Sequence, residues 1–103
     1  MIQFQEQDGR LICSFTGPLD TAVCQRMEAE LMAKVDAARL PVVFDLNGVD
    51  FIGSMFLRLC LMVIKNVQAN NFRLMNMKPP VKKVFKIAGF DQCLDPGSAG
   101  PAT

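Results

Sequence analysis

The chain has 103 residues, half of them hydrophobic, enough for one packed domain and too few for a second core. Charged residues make up 20%, with 11 Lys and Arg against 10 Asp and Glu, a balance that gives no reason to expect nucleic acid or an anionic membrane as partner. Histidine is absent, which removes the commonest general base and metal ligand, and with it Ser-His and Cys-His nucleophile pairs.

The first residues, Met1-Ile2-Gln3-Phe4-Gln5-Glu6, lack the basic start and long apolar run of a secretion signal. Residues 10–16 alternate, with Leu11, Cys13 and Phe15 on one face and Ile12, Ser14 and Thr16 on the other, the period of a half-buried strand. Asp8-Gly9 just before is a hairpin signal, so residues 2–5 are expected to pair antiparallel across it. Gly17-Pro18 ends the strand, and Asp20 is placed to cap the following helix. In that helix Val23, Met27, Leu31, Val35 and Ala38 fall on one stripe, away from Gln25, Arg26, Glu28 and Asp36, as on a helix laid against a sheet.

Residues 41–46, Pro-Val-Val-Phe-Asp-Leu, form a short run rich in β-branched and aromatic residues, the mark of a buried central strand. A second helix is expected over residues 54–69 and a strand over residues 72–75. A third helix opens at Pro79-Pro80, with Val81, Val84, Phe85 and Ala88 on one face and Gly89 at its C-cap. Residues 90–94 read as a last extended piece, and residues 95–103, mostly Pro, Gly, Ser and Ala, as a disordered tail. The order β-β-α-β-α-β-α over residues 1–94 implies a single α/β domain. Its mixed sheet of four or five strands has an antiparallel start and right-handed crossovers, and three or four helices pack on it.

Motifs for chemistry are absent: no Gly-rich phosphate loop and no nucleophile elbow. No cofactor or metal site is expected. Cys13, Cys24, Cys60 and Cys93 are too far apart for a metal or redox motif and sit among apolar neighbours, so buried free thiols are expected. Asp45 and Asp50 flank a strand end, where turn hydrogen bonding explains them, and Lys82, Lys83 and Lys86 fit a solvated face of the third helix. The longest apolar stretches, residues 56–57 and 59–64, are broken by Arg58 and end at Lys65, far short of a membrane span. A cytoplasmic protein is expected, with neither nucleic-acid binding nor direct membrane insertion.

The informative segment is residues 50–65, Asp-Phe-Ile-Gly-Ser-Met-Phe-Leu-Arg-Leu-Cys-Leu-Met-Val-Ile-Lys. Ser54 follows Gly53 at a strand-to-helix junction, where its hydroxyl is expected to cap the helix. At 100° per residue Phe56, Cys60, Val63, Ile64 and Val67 face the sheet. Ser54, Arg58 and Lys65 line the opposite side, flanked by Met55 and Met62, and adaptable methionines beside cations suit a protein-binding surface.

Three segments in order resemble a known family. Gly17-Pro18-Leu19-Asp20 resembles the Gly-x-Leu-Asp of STAS domains of the anti-sigma-factor antagonist type. Residues 42–46 followed by Gly48-Val49-Asp50-Phe51-Ile52 resemble the approach to that family's regulatory site. Residues 76–89 resemble its closing strand, Pro turn and helix. The resemblance, which extends to about Leu94, implies a STAS-like mixed sheet and a non-enzymatic partner-switching role. An unphosphorylated antagonist binds an anti-sigma factor that is also a serine protein kinase, the kinase phosphorylates a residue at the start of the second helix, and a serine phosphatase reverses this. The family motif there reads Asp-Ser-Ser/Thr-Gly, and this chain has Gly53-Ser54-Met55-Phe56, so Ser54 keeps the acceptor while its neighbours differ. Carried over, the resemblance gives Ser54 as phosphoacceptor, and Asp20, Asp50 and Gly53 join Met55, Arg58, Met62 and Lys65 of the helical face as expected partner-binding residues. The alternative within the same family is an unphosphorylated binding subunit of a signalling or membrane-transport assembly, with Ser54 only a helix cap. A small enzyme or nucleotide-binding protein is disfavoured by the missing His and Gly-rich loop.

Overall fold

The computed structural model describes residues 2–90, with the Ala69 side chain left aside. The chain opens as the expected hairpin, β1 (Ile2–Gln7) antiparallel to β2 (Arg10–Thr16). Asp8 and Gly9 have φ of 55° and 75°, the two positive values that a two-residue turn needs to match the right-handed twist of its strands. Register places Ile2 opposite Phe15 and Phe4 opposite Cys13, so the apolar residues of both strands share one face.

Helix α1 (Thr21–Ala38) begins as expected, with the Asp20 carboxylate accepting the Val23 amide at 2.9 Å. It buries Cys24, Met27, Leu31 and Val35, with Val23 and Ala38 half-buried at the stripe's borders. The chain returns as β3 (Val42–Gly48), parallel to β2, and after α2 (Ser54–Val67) and a single 3-10 turn (Ala69–Asn71) as β4 (Phe72–Met75), parallel to β3. The sheet order is β1-β2-β3-β4. Among the described residues it is thus a four-stranded mixed sheet with three α-helices, the third being α3 (Pro79–Ile87). Val42, Val43 and Phe44 are all buried, as a strand shielded on both faces requires.

Phenylalanine rings knit the layers together. Phe15 on β2 lies 4.8 Å from Phe44 on β3 and 5.1 Å from Phe56 on α2, and Phe44 lies 4.9 Å from Phe72 on β4, between centroids. Phe56 in turn meets Phe85 of α3 at 6.3 Å. Helix α3 ends on Gly89 at φ 88°, where the Phe90 amide donates to Phe85 and the Gly89 amide to Lys86. The Phe85 and Phe90 rings, 5.4 Å apart, close this left-handed cap hydrophobically.

Two expectations are corrected. Helix α2 stops at Val67, two residues short of the expected end, because Gln68 takes φ 75° and ψ 153° and turns the chain out of the helix. Its buried face is Phe56, Leu59, Cys60 and Val63, so Leu59 belongs to the core while Ile64 and Val67 are only half-buried. Cys13, Cys24 and Cys60 are buried free thiols as expected. Cys93, the extended piece after Phe90 and the tail at residues 95–103 lie outside the described residues.

Candidate functional site

The carboxyl ends of β2, β3 and β4 lead into the N-termini of α1, α2 and α3, and the loops between them are stitched together. Leu19 and Ile52 form an isolated parallel bridge, in which the Leu19 amide donates to Phe51 and the Gly53 amide to Leu19, both at 3.0 Å. The Gly17 amide donates to Gly48 at 3.1 Å. This approach requires glycine at position 48, since a Cβ there would stand 2.8 Å from Thr16 Cγ2 and 3.2 Å from the Phe15 carbonyl oxygen. The Lys78 ammonium donates to Asp50 at 2.7 Å, tying the loop before α2 to the N-cap of α3. Asp45 accepts the Asn47 amide and the Asn76 side chain, both at 3.1 Å. The two carboxylates are engaged in separate loop contacts, and among the described residues no group of three His, Cys, Asp or Glu could hold a metal.

Ser54 is the first residue of α2 and exposed, but it is not the cap, contrary to expectation. The N-cap is Gly53, extended at φ −102° and ψ 177°, held there by its bond to Leu19 and lacking a side chain to cap with. The first bonds back to the Gly53 carbonyl come from Phe56 at 3.1 Å and Leu57 at 3.4 Å. The amides of Ser54 and Met55 therefore precede the helical ladder, in the position from which helix N-termini bind anions.

The remaining sequence-derived residues divide. Asp20 adjoins Leu19 and so lies at the same end as Gly53, Ser54 and Met55, but its carboxylate is the α1 cap. Asp50 is occupied by Lys78. Arg58 and Lys65 are exposed on the Ser54 side of α2, as expected. Lys65, eleven residues on, lies about 16 Å along the axis from Ser54 at 1.5 Å per residue, so these residues form a long face and not one pocket. Met55 and Met62 flank that side as expected, and both are half-buried and packed against the core. They stand at the border of the face and expose only part of their side chains.

Two residues were missed. Phe51 is 53% exposed, and its ring edge is 3.8 Å from where a Cβ on Gly53 would sit, beside the start of α2. Leu61 is 52% exposed and falls within about 20° of Ser54 on the helical wheel. The wheel contained the Leu61 signal, whereas Phe51 looked like the entry to a buried run.

Burial pushes the Cys13 thiol up to about 12, and burial together with the Asp20 carboxylate raises that of Cys24, so both are neutral, unreactive thiols near pH 7. The site therefore offers an exposed hydroxyl at a helix N-terminus and a partly apolar face. These can accept a phosphoryl group and bind a partner.

The sequence matches the STAS domain family over residues 1–98. It is 40% identical over 85 residues to the proposed anti-sigma factor antagonist BtrV of Bordetella bronchiseptica, a match covering 81% of this chain and 73% of that protein. Its structure resembles that of an anti-sigma factor antagonist from Mycobacterium paratuberculosis, with TM-score 0.81 at 24% identity over 93% of this chain and 85% of the other. It also resembles the unphosphorylated anti-sigma factor antagonist SpoIIAA, with TM-score 0.76 at 18% identity over 92% and 86%. SpoIIAA of Bacillus in its phosphorylated form gives 0.69 at 17% identity over 92% and 89%.

Proposed function

The chain belongs to the STAS domain family, and we propose that it is an anti-sigma-factor antagonist that binds a serine-kinase-type anti-sigma factor and is released when that kinase phosphorylates Ser54. A serine phosphatase restores binding, the protein itself catalyses nothing, and the exchange takes place in the cytoplasm. No described helix is long and apolar enough to cross a membrane. The observation that carries this reading is Ser54, an exposed hydroxyl on the first residue of α2, with the exposed Arg58, Leu61 and Lys65 running on from it along the helix. The 40% identity to BtrV and the existence of a phosphorylated SpoIIAA support it.

Physics sets the mode of action. A phosphate on Ser54 adds about −1.5 to −2 charges where the helix dipole and two leading amides favour an anion, so α2 is not melted. The dianion instead stands in the docking surface beside Phe51, where an arriving partner must strip its water. Leaving a charge desolvated and unpaired costs several kcal/mol, and moving a population from 1:99 to 99:1 takes about 5.5 kcal/mol. The two magnitudes match.

A second reading is favoured by one observation: Gly53 leaves the N-cap without the carboxylate that family relatives carry next to the acceptor. In that case the chain is an unphosphorylated binding subunit of a signalling or membrane-transport assembly. The experiment incubates the chain with the kinase encoded beside it and ATP, followed by mass spectrometry of the Ser54 peptide and affinity measurements on Ser54→Asp and Ser54→Ala. The Ala variant is expected to bind and resist release, with stability within about 0.5 kcal/mol of the parent because the hydroxyl caps nothing. The Asp variant is expected to bind more weakly. An unmodified Ser54 with equal affinities for both variants would leave the second reading.

A further inference from the structure

Around the Leu19–Ile52 bridge the chain before α2 is extended, so alternate residues point to opposite sides. Ile52 points inward and is 6% exposed, whereas Phe51, Leu61 and Ile87 are the large apolar residues left open among the described residues. Phe51 stands three residues before Ser54, the nearest of them in the chain. Its carbonyl accepts the Leu19 amide, and its ring edge lies 3.8 and 3.9 Å from where a Cβ on Gly53 would stand. Consecutive Cα atoms are about 3.8 Å apart, so that edge is within about 9 Å of the Ser54 Cα.

The fold does not demand glycine at position 53. Its φ of −102° suits any residue, and a Cβ there would meet only ordinary contacts, the nearest being the Leu19 carbonyl oxygen at 3.6 Å. What the missing side chain does is leave the near side of the Phe51 ring bare. The ring is half seated on backbone and half in solvent, placed before any partner arrives. Charge does not single out this end of the molecule. Asp20 caps α1, Asp50 is paired with Lys78, and Arg58 is exposed one turn along α2, so both signs are present.

A kinase that phosphorylates Ser54 must bring its active site to that hydroxyl. A stable interface covers about 800 Å² of each partner, a patch reaching roughly 16 Å from its centre, so a partner working on Ser54 covers Phe51 as well. We propose that Phe51 is the aromatic anchor of that interface, its ring entering an apolar pocket of the kinase-type anti-sigma factor, and that Gly53 keeps the ring open to it. The inference rests on the proposed function, which supplies the partner, and adds the residue that carries the affinity. A ring already held in place loses little freedom on binding, and buried aromatic anchors carry a large share of interface energy. A phosphate on Ser54 then sets a hydrated dianion at the rim of the pocket that has to close over the ring.

The test titrates the full chain with the kinase encoded beside it, by calorimetry without ATP. Phe51→Ser is expected to weaken binding about tenfold or more, and Phe51→Leu by about threefold. Gly53→Asp keeps a favoured N-cap and so the fold, but puts a hydrated carboxylate beside the bare ring, and is expected to weaken binding about tenfold. The chain has no Trp and no Tyr, so Phe51→Trp is a lone fluorescent reporter, expected to shift to the blue as the partner takes the ring out of water. Urea denaturation checks that each variant is folded. No binding of the parent chain refutes the proposed function, and the anchor with it. Parent binding that Phe51→Ser and Gly53→Asp leave within about twofold, or an unmoved Phe51→Trp emission on binding, overturns the anchor alone and leaves the proposed function standing.

Discussion

Phe56 is where the fold and the site meet. It lies two residues beyond Ser54, is fully buried, and its ring stands 5.1 Å from Phe15, 5.8 Å from Phe44 and 6.3 Å from Phe85. Replacing a buried phenylalanine by alanine costs about 3–5 kcal/mol in transfer and cavity terms. Aromatic pairs contribute about 0.5–1.5 kcal/mol beyond burial, so loss of several partners puts Phe56→Ala at the upper end, near 5 kcal/mol. A domain of this size is stable by about 5–15 kcal/mol, so the variant is brought to the edge of unfolding. Phe56→Leu keeps most of the volume and is expected to cost about 1 kcal/mol. Urea denaturation followed by circular dichroism measures both. A loss below about 1 kcal/mol for the alanine variant, at unchanged denaturant slope, would put the ring outside the core. It would also undo the helical register that places Ser54, Arg58 and Lys65 on the outer side of α2.

Asp20→Ala removes the α1 cap and is expected to lower stability by about 1 kcal/mol in the same assay, while Asp20→Asn, an equally good cap, leaves it nearly unchanged. Gln68→Gly is expected to raise the thermal midpoint by about 4 °C, the equivalent of about 1 kcal/mol, because φ 75° with ψ 153° is a region that glycine alone occupies readily. The raised Cys13 thiol keeps in the folded state a proton that the unfolded chain releases near the ordinary value of 9.0. Stability should therefore hold below about pH 9 and fall from there toward pH 12 by about 1.4 kcal/mol per unit from this group, an effect that Cys13→Ala removes.

Local chemistry made most of the framework legible. Asp8-Gly9 can satisfy two positive φ values, Asp20 precedes a helical stripe, and Gly89 follows one, so each signal is decided within a few residues. Long-range contacts decided the rest. Serine is a favoured N-cap, which points to Ser54, but the bridge from Leu19 to Ile52, 33 residues apart, holds Gly53 extended and makes it the last residue outside the helix. Leu59 borders the stripe on a wheel, and the tertiary placement of α2 brings it into the core. Phe51 reads as apolar and is left half outside, since its backbone is spent on Leu19 while its ring lies over Gly53.

The surroundings of Ser54 bear on the proposed switch. Arg58 follows Ser54 by four residues on α2, and an anion four residues before a cation is the favourable order on a helix. A phosphate on Ser54 therefore has three attractions at once: the leading amides of α2, the helix dipole, and Arg58. Each stabilises the phosphorylated chain itself, so the modification loses no stability in being made. Each also lowers the positive potential at the N-terminal end of α2. A partner then meets an anion at the N-terminal end of α2, beside the exposed Phe51, instead of a neutral hydroxyl. Because Lys65 lies about 16 Å along α2 from Ser54, farther than one Debye length of about 8 Å, the effect is graded with distance. A partner helix seated toward the N-terminus of α2 is released, and one seated toward its C-terminus is little affected. The place of docking along α2, more than the charge added, decides whether phosphorylation acts as a switch.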